Sequence, residues 1–162
     1  MRILEYDRQA AFEYAKKWAF RRNPRYYNFK KIGGDCTNFA SQCIYAGAKV
    51  MNFTPTFGWY YISINNRAPA WTGVEYLFNF LTGNDAEGPF AEETALNKLE
   101  VGDIVQLGTA AGDLYHSPVV VAVRQGRIYV AAHTYDAFMK PLSSYIFARA
   151  RGIHILGVRK TK

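Results

Sequence analysis

Cysteine is scarce in this chain, with two in 162 residues, and that scarcity excludes a disulfide-stapled scaffold. No apolar run approaches the roughly 18 residues of a membrane-spanning helix. The opening MRILEYDRQAAFEYAKK is amphipathic and carries acids, unlike a secretory signal. No internal repeat, linker or low-complexity tract breaks the chain, so one domain over residues 1–162 is expected. Acids are scarce at both ends. Residues 1–31 hold nine Lys/Arg against three acids and residues 114–162 hold eight against one, whereas residues 32–113 reverse to three against nine. The net charge of +7 therefore sits at the two ends, a distribution that suits an anionic polymer, a lipid surface or nucleic acid, or an ordinary solvated face.

What the chain has in quantity is apolar and aromatic surface. A hydrophobic content of 49% at this length is enough to bury a real core. Aromatic residues make up 16%, twelve of them tyrosines, which adds a surface suited to sugar, peptide or base contacts. Residues 7–22 space Ala11, Tyr14, Ala15, Trp18 and Ala19 at helical intervals behind a capping Asp7. Residues 35–47 predict a second helix with Asp35 as N-cap and Gly47 as stop, and residues 72–82 a third that ends at Gly83. An irregular aromatic stretch separates the second from the third. Four strands follow, at 103–107, 116–123, 127–134 and 154–159. Helices first and an antiparallel sheet afterwards predict an α+β domain.

The stretch KKIGGDCTNFASQ at residues 30–42 puts Cys36 on the first turn of the second helix. The positive end of the helix dipole favours a thiolate there, and the Cys36 N–H can face an oxyanion. Gly33 and Gly34 leave room for a substrate backbone. Cys43 lies seven residues on, roughly 10 Å away along a helix at ~1.5 Å per residue, too far to share a disulfide or one tetrahedral zinc with Cys36. It reads as core, and no metal is expected.

The general base is sought on the strands. A tight turn at Gln125-Gly126 sets Arg124 opposite Arg127, Val121 opposite Val130 and Pro118 opposite His133. His116 then shares a face with His133 at about 7–8 Å between backbones. In this register His116 takes the thiol proton and His133 orients its ring, with Asp136 as the alternative third residue. A one-residue slip would move His133 to the opposite face. His154 has no evident partner.

GGDCTNFASQCIYAG, the tryptophan-rich stretch through Trp59 and Trp71, VGDIVQL, YHSPVVVAV and AAHTYD with KPLSSY together resemble the putative amidase domain of Gram-positive bacteria and their phages. That family falls in the papain-like cysteine hydrolase clan with the CHAP-type peptidoglycan hydrolases. The resemblance spans nearly the whole chain. It implies a papain-like α+β fold, a nucleophile helix bearing Cys36 packed on a sheet bearing His116, a third polar group matching His133, and hydrolysis of amide bonds in cell-wall peptides. Related folds draw a second oxyanion donor from a side chain upstream of the cysteine, for which Tyr27 is the first choice beside Tyr26 and Asn28. Trp59 and Trp71 are candidates for a substrate groove or for the core. Peptidoglycan or an anionic cell-wall polymer is the expected partner, with the cell wall the site of action; no nucleic acid and no cofactor are expected. Two other readings stay open: an acyltransferase with the same Cys–His chemistry, and a non-catalytic basic binding domain for cell wall or nucleic acid.

Overall fold

A computed structural model describes residues 1–162. Strand β1 (Arg2–Leu4) leads into helix α1 (Arg8–Trp18), whose cap Asp7 accepts a hydrogen bond from the Ala10 N–H and whose buried stripe is Ala11 and Ala15. The helix stops at Trp18, short of the expected Arg22, which turns away to meet Asp136. Helix α2 (Cys36–Ala48) has eleven buried residues of its thirteen and runs through the centre of the molecule.

Helix α2 does not end at Gly47 as expected. It runs on to Ala48 and is capped by Lys49, in the left-handed region at φ 61°. Gly47 serves packing instead: a Cβ there would lie 2.6 Å from the Asp7 carbonyl oxygen and 2.6 Å from the Tyr6 ring. The missing side chain lets the start of α1 lie directly on α2.

The aromatic stretch folds as a short hairpin, β2 (Tyr61–Ser63) and β3 (Asn66–Arg67), followed by α3 (Pro69–Thr72) and α4 (Val74–Gly83). The expected third helix, 72–82, is α4, which starts only after Gly73; the short α3 before it was not expected. The remaining strands are β4 (Gly88–Thr94), β5 (Ile104–Gly108), β6 (Leu114–His116), β7 (Val119–Arg124), β8 (Arg127–Ala132), β9 (Ala137–Pro141) and β10 (Arg149–Lys160). They form an antiparallel sheet in the order β1-β10-β5-β7-β8-β9, with β4 also paired to β10 and β6 to β5. This mixed architecture of helices and antiparallel sheet is the expected α+β class. No helix is long and apolar enough to cross a membrane.

Alternation along the strands gives the sheet two apolar faces. Ile104, Val119, Ala131 and Ile153 join Phe39, Ile44, Trp59, Trp71 and Leu77 in the main core under the helices. Val105, Leu107, Val120 and Val130 join Leu99 and Leu142 in a smaller cluster on the other face. Trp59 and Trp71 are fully buried, with ring centroids 4.7 Å apart. Their indole N–H groups donate to Ser41 Oγ at 3.1 Å and Asn38 Oδ1 at 3.0 Å. They are core residues and wall no groove.

The β7–β8 hairpin begins as expected and then departs. Gln125 and Gly126 both have positive φ, 51° and 76°, and Arg124 pairs with Arg127 and Ala122 with Tyr129. Val121 is then skipped as a bulge, so Val120 meets Val130 and Val119 meets Ala131. The expected pairs Val121–Val130 and Pro118–His133 do not form. One extra residue on one strand exchanges the faces of everything beyond it.

Candidate active site

Three segments converge on the start of α2. Asp35 stands at the N-cap position, yet its carboxylate makes no capping bond. It turns inward, fully buried, where Oδ1 accepts from the Phe29 N–H at 2.8 Å and Asn38 Nδ2 at 2.9 Å. Its Oδ2 lies 2.6 Å from His133 Nδ1 and 3.6 Å from Arg22 Nε. The Asp35 N–H donates to Thr134 Oγ1 at 2.8 Å. The end of β8 therefore grips the residue before Cys36, and Asn38 ties the same carboxylate to the Tyr27 carbonyl and Trp71.

The bulge at Val121 decides where the two histidines point. His133 faces the helices: its ring stacks on Phe39 at 3.9 Å, and Nε2 donates to the Trp18 carbonyl at 2.7 Å. Both ring nitrogens face oxygens of neighbouring groups, so the hydrogen-bonding capacity of the ring is committed on both sides. The expected contact from His133 to His116 is not made. His116 pairs across strands with Leu107, whose side chain belongs to the smaller cluster on the opposite face. No protein hydrogen bond reaches its ring, which packs beside Tyr145 at 5.6 Å between centroids. Asp136 is not its partner either, since that carboxylate forms a two-pronged pair with Arg22 at 3.0 Å on each arm.

Cys36 and His116 line one cleft of about 330 Å³, shared with Gly34, Thr134, Lys140 and Tyr145. Both are nearly buried, at 8% and 9% exposure. Burial pushes the Cys36 thiol up despite opposing hydrogen bonds from the Thr37 side chain and the Ser117 and Thr37 backbones; the neighbouring Asp35 charge pushes it further. The expectation of a dipole-stabilised thiolate is therefore corrected by desolvation. Burial, helped by the Lys140 charge, lowers the His116 pKa to about 4. At neutral pH the cleft holds a thiol and a neutral imidazole.

A buried polar chain supports this pair from behind. Thr37 Oγ1 lies 3.8 Å from the Cys36 sulfur and 3.2 Å from Ser117 Oγ, which accepts from Gln106 Nε2 at 3.2 Å. Arg151 donates to Gln106 Oε1 at 2.6 Å and reaches Glu75. This chain fastens Ser117, one residue past His116, to the start of α2.

Tyr27 lies outside the cleft. Its ring packs edge-on against Phe29 at 4.9 Å, and the hollow it borders is a separate one with Tyr61 and Ile62. Cys43 is a fully buried free cysteine of the main core. His154, which lacked a partner in the sequence, binds the buried Asp103 carboxylate at 2.7 Å, where Arg8 also bonds at 2.8 Å. No cluster of three or more His, Cys, Asp or Glu side chains is placed to hold a metal ion. Sequence reasoning missed Thr134, Lys140 and Tyr145 as cleft residues, although the AAHTYD and KPLSSY segments carrying them had been singled out.

Residues 5–156 match the family model described as the putative amidase domain. The chain belongs to that amidase-domain family. Over 143 residues, 86% of this chain, it is 32% identical to the uncharacterized protein YhbB of Bacillus subtilis (strain 168). The match covers 45% of that relative, so the chain spans less than half its length. No solved structure matches. The amidase-domain description points to hydrolysis of amides.

Proposed function

We propose that this amidase domain is a papain-like cysteine hydrolase that cleaves an amide bond in peptidoglycan or a related cell-wall peptide through a thioester acyl-enzyme. The observation that carries the reading is the shared cleft: the first residue of a buried helix offers a sulfur, and a strand from across the molecule offers an imidazole with no protein hydrogen bond. Because both groups rest neutral, the thiol proton passes to His116 as the sulfur attacks the carbonyl carbon. His116 then returns the proton to the leaving amine, and water, deprotonated by the same ring, hydrolyses the thioester.

The Cys36 N–H, at the unsatisfied start of α2, faces the developing oxyanion. The second donor in this scheme is the Thr134 hydroxyl, which lines the cleft and, while accepting from Asp35, keeps its own hydrogen to give. His133 acts as a positioning residue: with Asp35 it holds the loop that carries the nucleophile. The basic ends favour an anionic wall. Strand β1 pairs Arg2 with Lys160 and so brings both ends together, while Arg8, Arg22 and Arg151 are taken up by internal carboxylates.

Digestion of purified peptidoglycan, with the released ends identified by mass spectrometry, tests the reading. New peptide termini or freed lactyl carboxyl ends that vanish with Cys36→Ala support it. Release that survives this substitution, or no release from any wall preparation, sinks it.

A further inference from the structure

The floor of the cleft carries a feature that amide hydrolysis alone does not require. Strand β9 pairs with β8 as Ala132–Ala137, then as Val130–Lys140 and Tyr129–Pro141, so β9 holds one extra residue between the two registers. Met139, within that bulge, has φ 58°, a left-handed conformation that costs a side-chain-bearing residue energy. Without the extra residue Lys140 would pair with Tyr129 and point toward the helices. With it, Lys140 shares the face of Val130, the face on which His116 also lies. A strained backbone thus turns a lysine into the cleft.

Once there, the lysine is uncompensated. No carboxylate lies within 4.0 Å of it, none lines the cleft, and its Nζ rests 4.1 Å above the Tyr145 ring. Tyr145 supplies the second observation. Its hydroxyl oxygen is buried and has no hydrogen-bond partner, although the side chain lines the same cleft between Lys140 and His116. An unmet buried hydroxyl is rare and costs stability unless a ligand meets it. An uncompensated cation over the ring of a tyrosine whose hydroxyl lacks a partner, with no acid opposing them, matches an anionic acceptor.

We propose that the cleft reads a free carboxylate on its amide substrate, ion-paired to Lys140 Nζ and hydrogen-bonded to Tyr145 Oη, so that peptides with an unblocked carboxylate beside the scissile bond are selected over their amidated counterparts. The turnover part of the proposal rests on the amidase reading; the binding part does not.

The test has two arms. In the first, Cys36→Ala protein is titrated calorimetrically with acetyl-alanyl-alanine and with its C-terminal amide. The carboxylate form should bind about 10- to 100-fold tighter, the range of a charge-assisted hydrogen bond. That ratio should fall toward one when Lys140→Met is added, narrow with Tyr145→Phe, and survive Lys140→Arg. Equal binding of the two peptides, no binding of either, or a ratio indifferent to Lys140→Met overturns the proposal. In the second arm, stem peptides with free or amidated carboxylates are compared as substrates of the intact protein by kcat/KM. Cys36-dependent turnover without preference for the free carboxylate overturns the carboxylate site and spares the amidase reading. Carboxylate-selective binding without turnover of any amide leaves the site standing and overturns the amidase reading.

Discussion

His116 and His133 stand seventeen residues apart on neighbouring parts of one sheet, and their surroundings could hardly differ more. His133 is 1% exposed, stacked on Phe39, with both nitrogens committed to Asp35 and Trp18. His116 is nearly as buried but has no protein hydrogen bond, only aromatic neighbours and an open cleft. A fully satisfied histidine holds structure and has no nitrogen to spare for a proton in transit. Burial without a partner leaves the ring neutral and available. The contrast ties availability for chemistry to unused hydrogen-bonding capacity rather than to residue type.

The sharpest way to break the comparison is to remove each ring. His116→Ala and Cys36→Ala should each cut peptidoglycan turnover by at least about 1,000-fold with little change in the thermal midpoint. His133→Ala should do the reverse in kind, lowering unfolding free energy by about 3 kcal/mol, the scale of losing a buried stacked ring together with its hydrogen bonds, read as a fall in the urea midpoint. Its loss of turnover, through a loosened Cys36 loop, should be the smaller one. A stable but inactive His133→Ala protein would instead give that ring a direct catalytic part.

Titration sharpens the same contrast. Because burial pushes the Cys36 thiol up, alkylation by iodoacetamide should be slow at pH 6 and accelerate only on the alkaline side of an ordinary thiol. Fast alkylation at pH 6 would mean a preformed thiolate. His116 must be neutral to act as base, so with its pKa lowered to about 4 activity should climb as pH rises through that value. Lys140→Met removes the second cause of that lowering and should move the acid limb to higher pH. Least of all, Asp136→Ala removes a partly exposed pair with Arg22 and should cost no more than about 1 kcal/mol of stability, with kcat/KM changed less than about twofold.

The first two helices and the tight turn were legible in the sequence because each has a local signal, capping residues in one case and two turn residues of positive φ in the other; Cys36, singled out behind two glycines, shares a cleft with His116. The bulges at Val121 and Met139 have no such signal. In VVVAV any residue could be the extra one, and the choice follows from packing Ala131 and His133 onto α2, which is tertiary information. The fate of His133 was lost with it. Strand β4 was hidden by Pro89 and the two glutamates of GPFAEET, and the first half of β10 by Arg149 and Arg151, whose charges read as a loop. Arg151 is in fact buried against Gln106 and lies over the Phe78 ring at 3.5 Å. Gly47 misled in the other direction, since a glycine near a helix end reads as a stop and here answers a close approach.

Strand β10 bears on how the chain comes to be folded at all. It binds β5 through Arg149–Ile153, β4 through Gly152–Arg159 and β1 through Val158–Lys160, so β1 and β4 acquire their sheet neighbour, and β5 the partner on its second edge, only after these residues have been synthesised. A nascent chain halted before residue 149 would present those edges bare to the cytosol or to a translocation machinery, in a form prone to association. Pairings between residues more than 150 positions apart, as in Arg2–Lys160, also make for slow closure. The domain should therefore depend on holding chaperones during synthesis more than its modest length alone would imply, and lose solubility abruptly with short C-terminal truncations.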